Sequence, residues 1–334
     1  MKNKIILGCL AAATCEILFG LSFIFTKSIT AQVSDLALIS WRFVTAFLFI
    51  NLYFLFSRRR LNINGRNLKP LTRIAILNPI IYFICETIGI RMTTASESGA
   101  FLACIPVVAL IMSSLILKEW PSRWQVVGVI TTLVGIIMAV FAAGGSTHFS
   151  LVGYLILGLA VISYALYCVD VERASQFTSL EITYFMLASG CLTFGLFALS
   201  QGFLAGYLKE LLLLPLTNPK FTITILYQGL GCSVLGYLLS NFAIANIGVN
   251  RTASFIGIST IISILAAVIV LGEPFSHLQI FAGILVVLAS MWPIKTKTLG
   301  NRSSESFLVL IKLCLNQNDE FFLIRNTTYR SRHR

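Results

Sequence analysis

Long apolar runs separated by short polar turns occupy most of this chain, and their lengths set its class. Runs at about residues 5–29, 36–56, 72–92, 98–117 and 124–143 lead to the polar loop GGSTHFS, and a second set follows at about 151–169, 182–204, 222–247, 252–271 and 278–293. Each is close to the twenty or so residues that an α-helix needs to cross about 30 Å of hydrocarbon. The pattern predicts an all-α integral membrane protein with ten transmembrane helices. It is also repetitive. Placing Glu119 over Glu273 superposes Ile90 on Ile244, Phe101 on Phe255, Leu117 on Leu271, Ser122 on Ser276 and Gln125 on Gln279, so the stretch from Glu86 to Gln125 is echoed from Ser240 to Gln279. The chain divides on this reading into a first repeat (1–143), a second repeat (144–298) and a basic tail (299–334). Five is an odd number, so the second set enters the membrane from the opposite side, giving two inverted five-helix repeats.

Composition agrees with that class. Apolar residues make up 57% of the chain and charged residues 11%, and the mean hydropathy is +0.87, outside the range of a soluble globular protein. A net charge of +12 does not point to nucleic acid, because the Lys and Arg residues lie between apolar runs instead of clustering with aromatics on a soluble domain. They set orientation instead. With the N-terminus inside, twenty of the 25 Lys and Arg residues fall in inner loops or the tail and five fall outside, which predicts two cytoplasmic termini. The first run is too long for a signal-peptide core and lacks a small-residue cleavage site, so it is expected to stay as a span. Seven of the eight cysteines lie in apolar runs with no CxxC pair, and His148, His277 and His333 fall in loops or the tail, so neither a metal site nor a cofactor is expected. The apolar patch FLVLIKLCL in the tail is too short to span.

A charge placed at mid-bilayer costs about 3 kcal/mol, which makes each ionisable residue within a span a functional candidate. Glu16 lies at the centre of the first span, with Gly20, Phe23 and Lys27 on the same helical face. Lys27 is roughly 16 Å from Glu16 along the helix, too far to pair with it, and is expected to snorkel to the surface. Glu16 reads either as a binding or proton-coupling residue or as a hydrogen-bonded structural acid. Arg42 in the second span and Glu86 in the third fall at similar depth and are expected to pair, as a structural ion pair or as one that opens to bind substrate or a proton. The second half offers hydroxyls and amides. Tyr164 and Tyr167 lie three apart on one helix face and could wall a ligand, as could Asn241; interhelical hydrogen bonding is the plainer reading of all three. Pro106 in the fourth span has no Pro at the equivalent Thr260, so any kink there is confined to the first half. GLGCSVLG, which begins at Gly229, follows no strand and is not a nucleotide loop.

Inverted repeats suit alternating access around a central site, which favours a secondary transporter of a small-molecule substrate within the lipid bilayer, with proton coupling as a candidate drive. A facilitative channel or a lipid or polyisoprenoid carrier is the alternative. An intramembrane enzyme is less favoured, since no span carries a histidine. The oligomeric state is open.

Several pieces of the chain match a known pattern. They are FGLSFIFTK (residues 19–27, ending on Lys27), WRF (41–43), and CETIGIRMTTASESGAFLACIPV running on to KEWPSRWQVVG, together with their second-half partners GYLILGLAVISYALY and LGYLLSNFAIANIGVNRTASF running on to LGEPFSHLQIFAG. In both copies a closing Glu is followed six residues later by Gln, as Glu119 with Gln125 and Glu273 with Gln279. In order and spacing the chain resembles the EamA-type branch of the drug/metabolite transporter superfamily over about residues 5–294. The resemblance implies ten helices in two inverted repeats, a place in the inner membrane, and often export of amino acids or other small metabolites. It also implies a central cavity lined by the first four helices of each half. Phe19 stands where the family often has Trp, and Ala282 where it often has Gly.

Overall fold

A computed structural model of the chain describes residues 2–29, 32–57, 61, 65–93, 101–102, 104–118, 120–121, 123, 126–127, 129–131, 133–134 and 150–271. All the elements described are helices. The first half supplies α1 (Lys2–Ile29), α2 (Asp35–Ser57), α3 (Lys69–Met92) and α4 (Ile105–Leu117). The second supplies α5 (Leu151–Arg173), α6 (Ser179–Leu204), α7 (Pro219–Ile247) and α8 (Gly257–Leu271). A short helix, Leu208–Thr217, precedes α7, and a single turn, Val249–Ala253, joins α7 to α8. Among the described residues six helices, α1 to α3 and α5 to α7, are long and apolar enough to cross a membrane. Helices thus stand at the first four and at the sixth to ninth expected spans. Most of the fifth span, the whole tenth, Glu119, Gln125, Glu273, Gln279, the Lys27 side chain and the tail lie outside the described residues.

Local chemistry starts these helices where hydropathy expects them. Thr178 accepts a hydrogen bond from the Glu181 backbone N–H at 3.2 Å, and Glu181 Oε2 accepts one from Thr178 at 2.8 Å, a reciprocal cap at the start of α6. Asn218 Oδ1 accepts from the Phe221 N–H at 3.0 Å while Pro219 takes the first helical position of α7, where its missing N–H is not needed. Pro106 behaves in the same way: it lies in the first turn of α4.

The halves are interleaved. Helix α1 packs on α7 and α8 of the other half, and its counterpart α5 packs on α3 and α4. Helix α2 packs on α6 and α7, and α6 on α2 and α3. Exchanging α1 with α5, α2 with α6, α3 with α7 and α4 with α8 maps this pattern onto itself. The senses are opposed: Gly8 at the start of α1 lies against Ile247 at the end of α7, and Arg73 at the start of α3 is ion-paired with Asp170 near the end of α5. Small residues permit the closest crossings, as they do between helices in lipid generally. A Cβ on Gly20 would fall 2.6 Å from the Ser259 carbonyl oxygen of α8, and one on Gly89 would fall 2.6 Å from Leu157 of α5.

One feature is repeated without a repeated sequence. Helix α3 is kinked at Ile76–Ile81, where Asn78 leaves helical geometry (φ −144°, ψ 117°) ahead of Pro79. Helix α7 widens over Tyr227–Gly236, the glycine-rich stretch YQGLGCSVLG. The offset that places Glu86 over Ser240 carries Ile76–Ile81 onto residues 230–235, inside that wide segment. The other half supplies donors at the kink: Ser163 Oγ of α5 donates to the Leu77 backbone carbonyl at 2.7 Å, and Tyr237 Oη of α7 donates to the side-chain Oδ1 of Asn78 at 3.3 Å.

Candidate functional site

Two charged centres lie within the helix packing. The first is Glu16, 7% exposed on α1. Together with Ala109 of α4, Tyr164 and Cys168 of α5, Ser240 of α7 and Thr252 of the following turn, it lines a cavity of about 10 Å³, room for roughly one water. The lining comes from both halves. Among the described residues no Lys or Arg forms an ion pair with the Glu16 carboxylate. Its hydrogen-bonding neighbour is Ser259 of α8, whose hydroxyl also lies 2.6 Å from the Ile256 carbonyl. A carboxylate in this setting can take a proton or a cationic group, because no cation among the described residues already occupies it.

The second centre surrounds Arg42. Its Nε donates to Ser233 Oγ, 2.7 Å away in the wide turn of α7, and its guanidinium lies 5.1 Å from the centre of the Phe83 ring and 5.8 Å from that of Phe43. Glu86 accepts instead from Tyr82 Oη at 2.8 Å, one turn earlier on the same face of α3. The ion pair expected between Arg42 and Glu86 does not form. The physical reason lies in the nearer partners: a hydroxyl and two aromatic faces hold the guanidinium, and a tyrosine on its own helix holds the carboxylate.

The tyrosines separate as well. Tyr164 faces the Glu16 cavity, and its ring lies 5.3 Å from that of Tyr82 and 5.4 Å from that of Tyr167. Tyr167 is 1% exposed and donates to Asn241 Oδ1 at 2.7 Å; Asn241, wholly buried, donates in turn to Thr183 Oγ1 at 3.0 Å. Tyr167 and Asn241 therefore tie α5, α7 and α6 together, as the hydrogen-bonding reading had it. Sequence reasoning missed Asn78 and Ser233, which the kink in α3 and the wide turn of α7 present, and Thr252, which the α7–α8 connection carries to the cavity. The Asn78–Pro79 step inside an otherwise apolar run was the available signal for the first of these.

The chain matches the profile of the EamA-like transporter family twice, over residues 6–141 and 151–293. A Bacillus subtilis (strain 168) protein named uncharacterized transporter YcxC is 27% identical over 282 residues, covering 84% of this chain and 90% of that one. A Streptantibioticus cattleyicolor protein named probable terminal-alkyne amino-acid exporter is 24% identical over 213 residues, 64% of this chain and 68% of that one. A solved crystal structure superposes with a TM-score of 0.68 over 85% of this chain and 94% of its own at 16% identity, a likeness of fold.

Proposed function

We propose, for a chain that belongs to the EamA-like transporter family, that it is a secondary transporter exporting a small metabolite such as an amino acid across the cytoplasmic membrane by alternating access, with both termini cytoplasmic. The observation that carries this reading is Glu16: a buried acid with no ion-pair partner among the described residues, opening on a cavity built by helices of both halves. Two inverted halves that pack mainly on each other can rock about such a point, and a carboxylate there can carry a proton in one direction and a substrate group in the other. Tyr164 supplies an aromatic wall. The amino-acid exporter among the relatives supports the substrate class.

Proteoliposomes containing the full chain, assayed against a panel of amino acids with and without an imposed pH gradient, test the proposal. Saturable transport that falls when the gradient is dissipated is the expected result. Glu16→Gln should lower it at least about tenfold, the size of one lost charged contact, while leaving membrane insertion intact. Full activity in that variant would remove Glu16 from the site. Flux that never saturates would favour a channel.

A further inference from the structure

Toward the ends of α5 and α7, one wall of the Glu16 cavity is a short turn instead of a long helix. Val249, Thr252 and Ala253, all in the turn Val249–Ala253 that joins α7 to α8, line the cavity together with Cys168 of α5. Glu172 lies four residues beyond Cys168, one helical turn and about 6 Å further along the same face of α5. Its carboxylate reaches across to the connection: the Val249 backbone N–H donates to Glu172 Oε2 at 2.6 Å. Gly248, which precedes the turn, has φ 81° and ψ 164°, a conformation that only glycine adopts readily, and a Cβ there would fall 3.3 Å from Glu172 Oε1. The chain thus reverses at a glycine set against the carboxylate that holds it. The turn also packs on α4, where Ser113, one helical turn past the cavity-lining Ala109, is 1% exposed and its hydroxyl has no hydrogen-bond partner among the described residues. A buried hydroxyl left unpaired raises the free energy of the arrangement that buries it, and so favours one that admits water.

We propose that Glu172 is the positioning residue of a lid over the Glu16 cavity: it holds the turn Val249–Ala253 shut, and release of that turn about Gly248 opens the cavity toward the face of the membrane where α5 and α7 end. This rests on the transporter reading and supplies the gate of that same site. Alternating access needs a contact that closes one face and breaks readily. A hydrogen bond to a charged group shifts an equilibrium by roughly tenfold to a hundredfold, enough to keep a lid mostly closed without locking it. The moving part is small. Gly248 precedes the turn and Gly257 begins α8, so a glycine stands at each end of the connection, where a hinge has to absorb the change in backbone angle. Displacing Val249, Thr252 and Ala253 would uncover the Glu16 carboxylate while α5 and α7 keep their packing.

Two native thiols test the lid. Cys168 lines the cavity and is 7% exposed, whereas Cys232, 0% exposed in the wide turn of α7, is not among the residues that line it. Modification of the purified full chain by N-ethylmaleimide, followed peptide by peptide by mass spectrometry, gives a rate at each. Glu172→Ala should raise the rate at Cys168 at least about tenfold, the size of one lost charged hydrogen bond, and leave the rate at Cys232 unchanged. Glu172→Gln, whose amide oxygen can still accept the Val249 N–H, should fall between that variant and the parent. Gly248→Ala disturbs the same contact from the other side, should also speed Cys168, and guards against a Glu172 variant that fails to fold. No rise at Cys168 in either alanine variant, or an equal rise at Cys168 and Cys232, the mark of general loosening, overturns the proposal. Saturable, gradient-driven transport by a chain whose Cys168 stays protected in both variants would overturn the lid and leave the transporter reading standing. The expected labelling pattern without saturable transport by the unaltered chain would do the reverse.

Discussion

Glu16 and Asp170 are buried alike, each 7% exposed, but they are treated differently. Asp170 receives both Nε and Nη2 of Arg73 at the end of the bundle where α3 begins, and Glu181 nearby is 5% exposed with Arg66 at 3.5 Å. These acids hold the two halves together where cations reach them from the first turns of α3 and the loop before it. Glu16 lies mid-helix beside a cavity that the α7–α8 connection also lines, with no ion-pair partner among the described residues. Burial alone therefore does not single out a candidate acid; burial with no ion-pair partner among the described residues does.

Substitutions should separate the two kinds, and the largest effect on stability is expected at Asp170. Asp170→Arg sets two cations against each other and should destabilise the protein by about 3 kcal/mol, while the exchange Arg73→Asp with Asp170→Arg should recover much of that loss. Thermal unfolding in detergent reads both, and a double variant no better than the single would deny the pairing. Next comes Glu181→Ala, which removes half of a helix cap and the Arg66 contact; the expected loss is about 1–2 kcal/mol by the same measurement. Smallest is Glu16→Gln, expected within about 0.5 kcal/mol of the parent, because an amide of the same shape replaces a carboxylate that had no ion-pair partner. A melting temperature lowered as far as in the Asp170 variant would erase the distinction between the two acids.

Much of this was legible in the residues. Hydropathy sets the helices, and the spacing from Glu86 to Ser240 sets the halves, because a span must be apolar over a fixed length and a duplicated unit keeps its period. Glu16 and Tyr164 were legible as candidates because a charge or a hydroxyl inside a span has few neutral explanations. Contacts across helices were less accessible. Depth along an axis placed Arg42 and Glu86 level, but the choice between Glu86, Ser233 and an aromatic ring depends on azimuth, and the kink in α3 shifts azimuth within that helix. Tyr167 and Asn241 matched the plainer of their two readings, since a hydroxyl and an amide buried side by side satisfy each other.

Asn78 and Pro79 interrupt one helix and a run of glycines loosens the other, so corresponding helices of the two halves deform at corresponding places through different residues. Shape, in this pair of helices, does not depend on spelling.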